Sequence, residues 1–572
     1  MMSDDKRNLI ILVVFSTLIL LGWNYLFPAP TPQLAKVAEA TTKGSDAHLP
    51  TLAQQVLPPL TRQEALGQNA DTRLSIKAPL VSGSLSLVGA RFDDVTLSHY
   101  HETTAKDSPL VTLLSPERTT HPYWAEFGWL SQDRSIALPG PQTRWQTSQT
   151  ELTPETPVTL TWDNGQGLVF ERTIAVDKDY LFTITDKVTN NAGRPLDLTP
   201  YGLIARQGTP KTEDLFILHE GPIGYLGKSL VELKYSKLQD VKTETHKSTE
   251  GWMGITDKYW LTALVPDQKS PMTASYRYTE TGGTPLYQVD FTGKSLPLAP
   301  GAAIENTAHF FAGAKVLSLL DGYEAKLGVP HFDLAVDFGW YYLITKPIFH
   351  FLTYMYGYFG NFGIAILVLT LLLKLAFFPI ANKQYRSMAR MRDLQPKVKK
   401  LQERFAEDKM RLNQEMMELY KKEKVNPVSG CLPMLIQIPV FFALYKVIYI
   451  TIEMRHAPFF GWIHDLSVPD PTNLFTLFGL ISWTPPSFLM LGAWPILMGL
   501  TMWAQQKLNP APADPAQAKV FMIMPVVFTF ILANFPAGLV IYWTWSNLLT
   551  IMQQGAIMHL SSQKTKTANV NK

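Results

Sequence analysis

The residues best placed to do chemistry in this chain are polar groups embedded in apolar runs. Lys374 interrupts "GIAILVLTLLLKLAFFPIANKQYRSMARMR", which starts at Gly363, and Thr370 lies four positions before it. On a helix those two share a face. Gln437 sits between Pro433 and Pro439 in "GCLPMLIQIPVFFALYKV", Asn534 closes a later apolar run, and "LVIYWTWSNLLTIMQQ" carries Tyr542, Trp543, Thr544, Ser546 and Asn547. A charge in hydrocarbon costs from about 2.5 to more than 10 kcal/mol, so Lys374 needs an explanation. Its stem can snorkel toward the headgroups, since Asn382 is eight residues on, roughly 12 Å along a helix. Alternatively these polar residues line one wet, partly cationic groove. The chemistry of such a groove is electrostatic: a cation that attracts acidic groups.

Conventional catalysis has less support. His99, His101, His121, His219, His246 and Glu171 are available for acid–base work, but their spacing selects no pair. Cys431 is the single cysteine, which excludes an intramolecular disulfide, a Cys-rich zinc site and a CxxC redox pair. There is no Walker-type phosphate loop. No catalytic residue, metal ligand or cofactor is therefore assigned.

These residues sit in a chain of mixed character. Its 572 residues are 46% hydrophobic with 14 Trp, and a net charge of +3 gives no reason to expect a nucleic-acid binder. Lys6 and Arg7 precede an apolar stretch from Leu9 to Phe27, with Trp23 and Tyr25 near its far end and Pro28 closing it. Residues 1–27 are thus expected to be an uncleaved membrane anchor with its N-terminus in the cytoplasm. Residues 28–60, rich in Pro, Ala, Thr and Gln, read as a flexible tether. Over 61–330, short segments alternate apolar and polar residues, with turns at Asp163-Asn164-Gly165 and Asn190-Asn191-Ala192-Gly193. This pattern predicts a large antiparallel β-sandwich.

Residues 331–360 are aromatic-rich and interrupted by Lys346 and Pro347, as in an interfacial amphipathic helix. Transmembrane helices are expected at 361–380, 429–452, 487–507, 519–535 and 539–558, making six spans with the anchor. The segment 381–428 carries thirteen Lys or Arg between Asn382 and Val425 against seven Asp or Glu, whereas 453–486 has only Arg455. The basic segment is therefore cytoplasmic, as are the loop 508–518 and the tail 559–572, and the large domain and 453–486 lie outside. Met391, Leu394, Val398, Leu401 and Phe405, then Leu412, Met416 and Leu419, predict a short helical hairpin. Pro396 kinks it or sits in its first turn. Its basic face, with Lys397, Lys399, Lys400 and Arg404, is either solvated or docks on something acidic, such as ribosomal RNA or anionic lipid.

The runs "KQYRSMARMRDLQPKVKKLQERF", "QEMMELYKKEKVNPVSGCLPMLIQIPVFFALYKVI", "WIHDLSVPDP" and "MPVVFTFILANFPAGLVIYWTWSNLLTIMQQ", with "KRNLIILVVFSTLILLGW" at the start, closely resemble the YidC membrane-protein insertases of Gram-negative bacteria. The resemblance covers nearly the whole chain. It implies a five-span insertase core, an extra N-terminal anchor and a periplasmic sandwich similar to galactose-mutarotase-like domains. It implies insertion and folding of nascent inner-membrane proteins, alone or beside the Sec translocon, with ribosomes or targeting factors received by the hairpin and membrane lipids as surroundings.

Matched position by position, the family's groove arginine falls on Lys374, its groove threonine on Thr370 and a substrate-contacting tyrosine on Trp543. Gln437, Asn534, Tyr542 and Ser546 complete the expected groove. The segment "TNLFTLFGLISWTPPSFLMLG" looks inserted, and either dips into the outer membrane interface or forms a short seventh apolar segment. The competing functions are a transporter or channel, against which the chain shows no internal repeat, and a periplasmic sugar-binding protein.

Overall fold

The computed structural model describes residues 58–213, 217–339, 341–405, 408–423, 432–483, 485–486, 489–509 and 515–570. The expected anchor 1–27, nearly all of the tether and Cys431 lie outside the described residues. The described residues form two compact units, one of residues 58–99 and 111–339, the other of residues 100–110 and 341–570.

Alternating burial builds the first unit. In Leu168–Val176 every second side chain is buried, which turns Leu168, Phe170, Arg172, Ile174 and Val176 to one face. That strand belongs to an eight-stranded sheet whose spatial order is Ser229–Glu232, Gly221–Leu226, Gly251–Thr256, Trp260–Val265, Ala303–Ala314, Leu181–Asn190, Leu168–Val176 and Val158–Asp163. An eleven-stranded sheet lies against it. The two meet through aromatic edges: Phe92 of the larger sheet has its ring centroid 5.2 Å from that of Phe182 and 5.4 Å from that of Phe310.

Arg172 is the exception among the inward residues. Its guanidinium is held by Asp186 at 2.6 and 2.8 Å and donates to the Phe127 carbonyl of the opposite sheet at 2.8 Å, so the buried charge is paired rather than stranded. The expected turns form as read: Gly165 (φ 68°) and Gly193 (φ 71°) take the left-handed backbone that a side chain disfavours. One part of the expectation changes. Glu151–Leu152 pairs with Ser75–Ile76 in parallel, so the larger sheet is not antiparallel throughout.

The second unit is helical: α1 Tyr342–Phe359, α2 Phe362–Ala376, α3 Phe378–Arg404, α4 Lys409–Lys422, α5 Leu432–Ile450, α6 Ala493–Leu508, α7 Pro515–Leu532 and α8 Ala537–Val570. Its skin is apolar. Leu371, Leu372 and Leu375 of α2 and Val520, Met522, Ile523, Val526 and Phe530 of α7 are exposed, Val520 at 64%. A water-facing surface rarely carries such a patch, whereas lipid solvates it at no cost. Among the described residues no single helix is both long and apolar enough to cross a membrane, but α2 and α3, joined at a 67° bend, are so together.

Several expected boundaries move. The helix expected over 361–380 breaks at Phe377, with Pro379 in the first turn of the next helix. The interfacial helix expected from 331 begins at Tyr342, and the span expected at 487–507 begins at Ala493. The last helix runs on through the expected tail to Val570. Pro396 lies inside α3 rather than in a first turn.

Inside the bundle, backbone groups freed by proline find partners. Pro525 has no N–H to offer the Phe521 carbonyl one turn back in α7, and the Gln506 side-chain amide of α6 donates to that carbonyl instead. Gly499 of α6 lets the two helices approach closely, since a Cβ there would overlap Thr529 Oγ1.

Candidate functional site

Asn361 caps α2 by accepting from the Ile364 N–H at 3.1 Å, and the apolar run carries the helix to Ala376. Lys374 therefore sits in the last turn of α2, where the free carbonyls of a helix C-terminus favour a cation. Its Nζ donates to Thr550 Oγ1 of α8 at 2.9 Å, and Thr550 in turn donates to the Ser546 carbonyl at 2.8 Å. Among the described residues Lys374 has no carboxylate partner within ion-pair distance. The ammonium is thus held by a neutral hydroxyl, which leaves its charge uncompensated.

Around it lies a groove with about 570 Å3 of free space, including the part open to the outside. It is lined by Thr370, Leu373 and Lys374 of α2, Ile380, Ala381, Gln384 and Tyr385 of α3, Gln437 and Val440 of α5, and Tyr542, Ser546 and Gln553 of α8. Thr370 is buried and donates its hydroxyl proton to the Ile366 carbonyl at 2.6 Å, which leaves its lone pairs as acceptors. Gln437 donates from Nε2 to the Tyr542 hydroxyl and so joins the α5 and α8 walls. With one cation and several amides and hydroxyls between apolar walls, the groove offers donors to an anionic or polar chain segment. Among the described residues that line it there is no nucleophile–base pair.

Five of the expected residues, Lys374, Thr370, Gln437, Tyr542 and Ser546, line this one groove. Two do not. Asn534 is exposed in the turn between α7 and α8. Trp543 points the other way, with ring centroids 4.8 Å from Phe441 and 5.7 Å from Phe528, beside Met498, Leu532 and Val540. Adjacent helical residues lie about 100° apart, so Tyr542 and Trp543 cannot share a face, and of the two it is Tyr542 that lines the groove. Gln384, Tyr385, Thr550 and Gln553 were not expected there. The steps of four, four and three from Tyr542 through Ser546 and Thr550 to Gln553 are nevertheless visible in the sequence as one helical stripe.

At the far end of α3, the hairpin places Leu394 and Val398 inward and leaves Lys397, Lys399, Lys400 and Arg404 exposed. Lys397 Nζ pairs with Glu423 Oε1 at 2.7 Å, whereas the Arg404 and Arg411 guanidinium groups each lie 5.5 Å from the Phe405 ring. Among the described residues no hydrogen bond joins any two of the six acid–base candidates. Glu171 is paired with Lys187 at 2.8 Å, His246 with Glu244 at 2.9 Å, and His219 with the Pro222 carbonyl at 3.0 Å. Glu324, His331 and Asp333 bring their ligand atoms within 4.8 Å of one another, but Glu324 Oε2 already accepts from the Phe332 N–H at 3.0 Å.

Residues 73–351 match the family model of the YidC periplasmic domain, and residues 354–565 match that of the 60Kd inner membrane protein. A membrane protein insertase YidC from Beijerinckia indica subsp. indica is 48% identical over 595 residues, covering 99% of this chain and 98% of that protein. The protein of the same description from Rhizobium meliloti is 47% identical over 579 residues, covering 98% and 97%. Among solved structures, an active YidC insertase with its first transmembrane domain resolved gives a TM-score of 0.34 at 15% identity, covering 84% of this chain and 92% of that one. A galactose mutarotase-like protein from Lactobacillus casei gives 0.30 at 11% identity, covering 42% and 99%. At these TM-scores neither structure adds to the fold described above.

Proposed function

The chain belongs to the YidC family of membrane protein insertases, and from that premise we propose that it inserts its clients through the groove around Lys374. The family is an inner-membrane protein with a periplasmic domain, and its activity is insertion rather than chemical conversion. The observation that carries the proposal is the ammonium of Lys374, which among the described residues has no carboxylate partner and is bonded to Thr550 in a groove that opens among helices with exposed apolar faces. A nascent segment enters from the cytoplasm, its polar or acidic tail takes the place of water in the groove, and its apolar part leaves sideways into lipid. Attraction to Lys374 lowers the cost of bringing acidic residues to membrane depth.

The wider arrangement follows the charge asymmetry of the loops. The chain crosses the membrane six times, with both termini and the α3–α4 hairpin in the cytoplasm, the β unit in the periplasm and α1 along the outer interface. The hairpin receives ribosomes or targeting factors through Lys399, Lys400 and Arg404, and the insertase works alone or beside the Sec translocon. Photocrosslinkers at Thr370, Tyr542 and Ser546 should capture nascent inner-membrane proteins, and those at Trp543 and Asn534 should not. Equal capture from both sets would overturn the groove as the path.

A further inference from the structure

We infer that the loop Leu474–Trp483 is a lipid anchor, seating its apolar side chains at the boundary between headgroups and acyl chains of the outer leaflet. Leu477, Phe478, Leu480 and Trp483 are all exposed there, Leu480 at 85%. The exposure is built in. Leu477 (φ 47°) and Phe478 (φ 57°) hold left-handed backbone that large side chains seldom adopt, and three bonds within the loop fix them. Asn473, itself buried, accepts from the Phe475 N–H on its side chain and from the Phe478 N–H on its carbonyl, each at 2.9 Å, and the Ile481 N–H donates to the Thr476 carbonyl at 3.0 Å.

The base is clasped as firmly. Asp470 accepts from the Trp462 indole at 3.1 Å, the Thr472 N–H at 2.9 Å and the Trp494 N–H at 2.9 Å, which also caps α6. Thr472 Oγ1 accepts from the Ala493 N–H at 2.9 Å, and the Leu474 N–H donates to the Leu491 carbonyl at 2.9 Å. A tip of large apolar groups on a fixed polar base has backbone bonds that need no water, as lipid contact requires.

Two further observations choose lipid as the occupant. No charged residue and no histidine occurs between Asp470 and Lys507, which leaves nothing to discriminate a protein partner by charge. The apolar surface also continues into α6, where Leu497, Leu500 and Trp503 are exposed on the helix that follows the loop. The loop holds only short turns on either side of the left-handed pair Leu477-Phe478, with no regular helix to span a bilayer, so it is a shallow anchor and not a seventh span. In this role it fixes the height of α6, and with it of the bundle, relative to the outer headgroups. The assignment to the outer leaflet rests on the topology proposed above.

The test uses the full chain with Cys431→Ala and a single environment-sensitive fluorophore at Leu480→Cys, reconstituted in phosphatidylethanolamine–phosphatidylglycerol vesicles. Emission is expected to be blue-shifted in vesicles without any client. A nitroxide lipid labelled near the headgroup should quench it more than one labelled near the chain end, and a label at Lys400→Cys should stay water-like. Water-like emission at position 480, emission that turns apolar only when a client is added, or quenching that depends on protein density as in self-association would each overturn the proposal. The side is checked separately with a membrane-impermeant maleimide and His464→Cys in spheroplasts. Failure to label there would overturn the topology while leaving the lipid contact standing.

Discussion

Reversing the charge of Lys374 should slow acidic clients selectively, and the structure sets the size of the effect. A carboxylate brought to roughly 4 Å from the ammonium gains about 4 kcal/mol at an effective dielectric of 20 and about 1 kcal/mol in bulk water. To accept it, Lys374 gives up its 2.9 Å bond to Thr550, a charged hydrogen bond whose net contribution is about 1.5–3 kcal/mol. The net preference for an acidic tail is therefore about 1–2.5 kcal/mol, or roughly five- to sixtyfold at about 1.4 kcal/mol per decade. Lys374→Ala should lose that factor for acidic tails and little for neutral ones. Lys374→Arg should retain it, and Lys374→Glu should be worst because it adds repulsion. The assay is insertion into reconstituted vesicles, scored by protease protection of client pairs that differ only in acidic residues of the translocated tail. Equal slowing of both clients by Lys374→Ala and Lys374→Glu, or no slowing of either, would return Lys374 to the role of a snorkelling side chain.

Changing Lys399, Lys400 and Arg404 to Glu should impair insertion while leaving detergent stability near that of the parent, because solvated charges contribute little to folding; Lys397 is better spared, since its reversal would set Glu against Glu423. Gln506→Leu should leave the Phe521 carbonyl without its donor and destabilise the bundle by about 1–3 kcal/mol, read as a lower unfolding midpoint in detergent. Gly499→Ala should cost about 1–3 kcal/mol by overpacking α6 against α7, and Thr529→Ala in the same chain should recover part of it. Burial lowers the His219 imidazole to about 4. The folded chain then resists a proton that the unfolded chain takes up near pH 6.5, so His219 costs nothing above that pH and up to about 3 kcal/mol of stability is lost as pH falls toward 4. His219→Gln should flatten that slope in urea unfolding of the full chain followed by the β-sheet signal.

The β-sandwich was legible because period-2 burial is a local signal: Leu168–Val176 alternates in sequence as it does in space. Its parallel Glu151–Leu152 pairing was not, since a two-residue strand carries no period and its partner is far along the chain. In the bundle, composition located the helices but could not mark the break at Phe377, because an apolar run reads the same straight or bent. That break explains Lys374 more simply than hydropathy does, by placing it in a last turn instead of mid-helix. Thr370, Gln437, Tyr542 and Ser546 could be found as polar residues in apolar company. Trp543 and Asn534 met the same criterion and lie elsewhere, because residue type says nothing about azimuth. Tyr385 and Gln384 escaped notice as members of a polar, basic stretch where another polar side chain carries no information.

The helix α8 separates two tasks by angle alone. Tyr542, Ser546, Thr550 and Gln553 form the stripe that faces the groove, and Asn547 and Gln554, about 100° around, bond to Thr501 and to the Leu508 carbonyl of α6 at 3.1 and 3.2 Å. Such a helix has a reading frame. One residue inserted before Tyr542 would turn everything after it by about 100°, sending the Tyr542 phenol to the place of the Trp543 indole and the Ser546 hydroxyl to that of Asn547, and neither surface could be repaired without spoiling the other. Substitutions along α8 can therefore be absorbed one at a time, each on its own face, whereas a change of length cannot be absorbed at all.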